Sequence, residues 1–62
     1  MKVKIKSYNE LPFYLSIDKI YDVIEEYGDE LFSIQDDYGD VVVIYLNKSS
    51  HLGDGTWEVV YE

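Results

Sequence analysis

Apolar and polar residues alternate with a period of two at several places along the chain, the signature of half-buried strands. Lys2-Val3-Lys4-Ile5-Lys6 puts Val3 and Ile5 on one face and three lysines on the other. Tyr21 and Val23 oppose Ile20, Asp22 and Ile24. Phe32 and Ile34 oppose Leu31, Ser33 and Gln35, and Trp57, Val59 and Tyr61 oppose Glu58, Val60 and Glu62. Leu11, Phe13, Leu15 and Ile17 also recur at spacing two, although Pro12 confines that stretch to an edge strand or an extended arm. Turn chemistry separates the runs: Tyr27-Gly28-Asp29, then Asp36-Asp37-Tyr38-Gly39-Asp40, then Gly53-Asp54-Gly55. Strands are predicted over 2–7, 19–27, 30–36, 40–46 and 56–61, with 47–52 a connector containing one short 3₁₀ turn.

Residues 16–26 admit a competing reading. Ser16 is an N-cap candidate, and Ile17, Ile20, Tyr21 and Ile24 fall at helical spacing. Residue types favour the strand: the chain has seven Val, six Ile and ten aromatics, and no alanine. Five short strands of this kind hide their edges best by curling into a small barrel; the alternative is an open sheet under a helix. The predicted core is Val3, Ile5, Tyr21, Val23, Phe32, Ile34, Val41, Val43 and Trp57. A one-residue slip in the fourth strand would exchange Val41, Val43 and Tyr45 for Val42, Ile44 and Leu46.

Composition narrows the function classes. With 62 residues there is one domain, 1–62, and with no cysteine there is neither a disulfide nor thiol chemistry. A hydrophobic content of 47% excludes a disordered chain. The longest apolar run, 41–46, is far short of the ~20 residues that span a bilayer. The lysines at the start are not followed by the apolar stretch of a signal peptide. A cytoplasmic location without membrane association is therefore expected. Five lysines against 13 acids give a net charge of -8, so no direct nucleic-acid binding is expected.

The order of motifs resembles small SH3-like barrel proteins of phages and prophages. Met1-Lys2-Val3, Lys19-Ile20-Tyr21-Asp22-Val23, the Asp36-Asp37-Tyr38-Gly39 turn and Trp57-Glu58-Val59-Val60 carry that resemblance over nearly the whole chain. It implies an all-β, SH3-like barrel of about five antiparallel strands and a phage or prophage setting, without an assigned activity. Tyr21-Asp22, Asp29-Glu30-Leu31-Phe32 and Gly39-Asp40-Val41-Val42-Val43 are also similar to the first half of a eukaryotic SH3 domain. The Trp-Trp pair and the Pro-x-x-Tyr segment that line that family's proline-peptide groove are missing here.

Three features have candidate chemistry. Asp36, Asp37 and Asp40 surround a Gly turn, but a calcium loop needs about 12 residues and a closing Glu, so turn formation explains them and no metal or other cofactor is expected. His51 has Ser49, Ser50 and Asp54 nearby in sequence without a catalytic motif, and a non-enzyme is expected. Tyr8, Tyr14, Tyr27 and Tyr38 lie in or beside loops, where tyrosine serves interfaces well. From Ser7 onward only two lysines stand against all 13 acids. This favours a non-catalytic, acidic protein-interaction module, whose expected partner is a protein, a basic one by charge complementarity. Its candidate surface is Tyr27, Asp29, Asp36, Asp37, Tyr38, Asp40 and Asp54. The alternatives are a DNA-mimic inhibitor of a basic host protein, or a structural or homodimerising β-protein whose charge serves solubility.

Overall fold

In the computed structural model, which describes residues 1–61, the period-two segments form five antiparallel strands. They are β1 (Lys2–Ser7), β2 (Tyr21–Glu26), β3 (Leu31–Gln35), β4 (Val41–Tyr45) and β5 (Thr56–Val60), with a 3₁₀ turn at Ser50–Leu52. Val3 and Ile5 face the core, as the alternation requires. Two of the lysines beside them meet acids on neighbouring strands, Lys2 with Asp22 at 3.7 Å and Lys4 with Glu58 at 3.3 Å.

The strands form one sheet in the order β4-β3-β2-β1-β5. β2 is shared between its two halves. Tyr21 and Asp22 pair with β1, whereas Val23, Glu25 and Glu26 pair with β3, with a register shift between Val23 and Glu25. A bulge of this kind bends a strand and increases its twist, so the two ends of the sheet fold over one core. The result is the all-β, SH3-like arrangement with one 3₁₀ turn before the last strand. The sheet remains open between β4 and β5. Trp57 N donates to the Leu46 carbonyl at 2.8 Å, and Ser49 bridges to Gly55, which ties the adjoining ends.

The core comprises Val3, Ile5, Leu15, Tyr21, Phe32, Ile34, Ile44, Leu52 and Trp57, with Val23 packed against it half-buried. The expected burial of Val41 and Val43 is corrected: Ile44 is buried, Val42 and Leu46 pack against the core, and Val41, Val43 and Tyr45 face outward. Pairing of Phe32 with Ile44 and Ile34 with Val42 fixes that register. A run of six apolar residues has no polar position to mark its outer face, so only tertiary pairing decides.

Residues 8–20 are neither strand nor helix. Leu15 N donates to the Pro12 carbonyl at 3.2 Å, which turns the chain after Pro12 and ends the period-two geometry. Only Leu15 of that set is buried. The helical alternative for 16–26 is not adopted: Asp18 has a left-handed φ of 68°, and β2 begins at Tyr21.

Candidate functional site

Residues 8–20 fold back onto the β3–β4 turn, and Asp37 holds them there. Its carboxylate accepts the Ser16 hydroxyl at 2.6 Å, the Tyr21 hydroxyl at 2.8 Å and the Lys19 ammonium at 2.8 Å. Asp37 N donates to the Tyr14 carbonyl at 2.9 Å, and Ser16 N donates to the Tyr21 hydroxyl at 2.7 Å. Lys19 foremost, and then Ser16, bring the Asp37 carboxyl down to about 2, against burial that opposes ionisation. Burial chiefly, aided by the Asp37 charge and hydrogen bond, pushes the Tyr21 phenol up to about 12.

The neutral Tyr21 phenol is favoured in the fold, so its contribution is full below the ordinary value of about 10 and is lost as pH rises through about 12. A tyrosinate absorbance titration is expected to show a step near pH 12 that Tyr21→Phe removes. A Tyr21 step at the ordinary position would contradict the Asp37 arrangement.

The turn itself is built by Asp36. Its Oδ1 accepts Tyr38 N and Asp40 N, each at 2.9 Å, while Asp36 N donates to the Asp40 carbonyl at 2.8 Å. Gly39 takes a φ of 84°, which an L side chain rarely adopts. This is the turn role expected for Asp36. Among the described residues no group of three or more His, Asp or Glu is placed to hold a metal ion.

Docking the loop on this turn creates a cleft of about 340 Å³ lined by Phe13, Tyr14, Asp36, Tyr38, Asp40 and Val42. Phe13 stands edge-on to Tyr14, with centroids 5.4 Å apart, and to Tyr38, at 5.9 Å. Phe13 is 83% exposed and Tyr38 70%. Tyr14 is fixed from behind by His51, whose Nδ1 lies 2.6 Å from the Tyr14 hydroxyl and whose Nε2 lies 3.0 Å from the Val43 carbonyl. That carbonyl only accepts, so in the neutral ring Nε2 carries the proton and Nδ1 accepts from Tyr14. Both ring nitrogens thus face Tyr14 and Val43 rather than Ser49, Ser50 or Asp54. Ser49 is buried and accepts from Trp57 Nε1 at 3.3 Å.

The seven residues expected to share a surface do not all meet. Asp36, Tyr38 and Asp40 line the cleft, and Asp37 lies behind it, its carboxylate occupied by the loop. Tyr27 and Asp29 lie in the β2–β3 turn, at the other end of β3, about 17 Å away by strand rise. Asp54 sits beside the segment where Asn9 Nδ2 donates to the Gly53 carbonyl at 2.8 Å. Phe13, Tyr14 and Val42 were not among the seven. An aromatic pair after a proline, outside any strand, is the sequence signal that marks two of them.

Comparison with protein-family models, curated proteins and solved structures finds no match. Among the described residues no helix is long and apolar enough to cross a membrane.

Proposed function

We propose that the chain is a non-catalytic protein-interaction module whose working surface is the cleft between residues 8–20 and the β3–β4 turn. The observation that carries this reading is Phe13: a large side chain with no polar atom, 83% exposed on the rim of an aromatic cleft. Burying such a side chain is worth ~1.5–3 kcal/mol, so its exposure favours contact with another molecule. The net charge of -8 supplies long-range steering toward a basic partner protein. The phage or prophage type implied by the motif order, and a cytoplasmic setting, fit a small cysteine-free module of this kind.

Phe13→Ser separates binding from folding. Because the ring lies outside the core and its two edge-on ring contacts are exposed, its loss is expected to cost no more than about 1 kcal/mol in urea unfolding. Affinity capture with the intact chain as bait is expected to retain a basic protein that added salt releases and that the Phe13→Ser bait fails to hold. Equal capture by both baits, insensitive to salt, would overturn the proposal.

A further inference from the structure

The cleft has apolar walls, a negative rim and no cation of its own. No lysine lines it, and the chain contains no arginine. The exposed Asp40 side chain makes no hydrogen bond or ion pair within the described residues. Asp36 uses Oδ1 for two backbone amides, and its Oδ2 has no hydrogen-bond partner among the described residues. At about 340 Å³ the cleft is near the small end of ligand sites, room for one long side chain rather than a folded segment.

Apolar ring surface beside carboxylate oxygens selects a particular kind of cation. An ammonium is compact and strongly hydrated, and entering the cleft would strip that water. A guanidinium is flat, delocalised and weakly hydrated. It stacks on an aromatic ring and still directs a fork of N–H donors at a carboxylate in its plane. Tyr14 and Tyr38 supply ring surface with Phe13 between them, and Asp40 supplies the free carboxylate. We infer that the cleft binds an arginine side chain presented by a basic partner protein, seated against Phe13 and Tyr38 and paired with Asp40. A second copy of this chain is excluded as the donor because it has no arginine. The inference rests on the interaction-module reading and adds the residue type that is recognised.

The test uses the full chain, labelled with ¹⁵N, and three capped pentapeptides that differ only in a central arginine, lysine or citrulline. Citrulline keeps the shape of arginine and lacks its charge. The arginine peptide is expected to shift the amides of Phe13, Tyr14, Tyr38 and Asp40, with the lysine peptide about threefold weaker and the citrulline peptide about tenfold weaker. Phe13→Ser and Asp40→Asn are each expected to weaken arginine binding about threefold or more, with the amides of β1 and β5, away from the cleft, unmoved in the free protein. Equal shifts from arginine and citrulline overturn the inference. Equal shifts from arginine and lysine spread over the whole acidic surface overturn it while leaving charge-steered binding intact. No shift from any cationic peptide at low salt overturns both.

Discussion

Gly55→Ala is expected to remove most of the protein's stability at 25 °C. A Cβ at this position overlaps the Ser7 carbonyl oxygen and lies 2.8 Å from both Leu52 Cβ and Tyr8 Cα. The backbone has little freedom to retreat, because the Gly55 carbonyl accepts Ser49 N at 2.8 Å and Gly55 N donates to the Leu52 carbonyl at 3.2 Å. Overpacking of this severity costs ~3 kcal/mol or more, against the ~3–5 kcal/mol that a core of this size supplies. Circular dichroism and urea unfolding check it. A midpoint close to that of the parent would mean that β1, the 3₁₀ turn and the start of β5 pack less closely than described.

Asp37→Ala has the second largest expected effect, about 2–3 kcal/mol, because one carboxylate gathers three donors from residues 16–21. Its loss leaves the buried Tyr21 hydroxyl without its acceptor and releases the loop that forms one wall of the cleft. Hydrogen exchange at the Leu15 and Ser16 amides, which are hydrogen-bonded within this loop, should therefore accelerate more than exchange in β1 or β5. Asp37→Asn resolves the charge contribution. With the carboxyl lowered from 3.8 to about 2, its stabilisation is present above pH ~4 and lost as pH falls through about 2. Lys19 is half exposed, so solvent screening reduces that contribution to about 1–2 kcal/mol. The stability gap between parent and Asp37→Asn should narrow across that window. A constant gap from pH 5 to pH 2 would show that the charge on Asp37 contributes nothing.

The strands were legible because their evidence is local. Lysine alternating with Val3 and Ile5, and Gly39 inside an Asp-rich turn, mark elements without reference to the rest of the chain. The β4 register was not legible, since 41–46 is apolar on both faces and Phe32 and Ile34 select the partners. The cleft was half legible for a similar reason. Tyr38 and Asp40 advertise themselves through turn chemistry, whereas Phe13 and Tyr14 reach them only through the bonds that Asp37 makes across about twenty residues of chain. Tyr27 and Asp29 share their composition with that group, but the length of β3 separates them from it.

Protein–peptide contacts in the complex with the arginine pentapeptide bear most directly on the central claim, that the cleft walled by Phe13 and Tyr38 is the working surface. Isotope-filtered nuclear Overhauser spectra are expected to show the arginine δ-methylene protons against the rings of Phe13 and Tyr38. Contacts instead to Val41, Val43 and Tyr45, on the exposed outer face of β4, would contradict it.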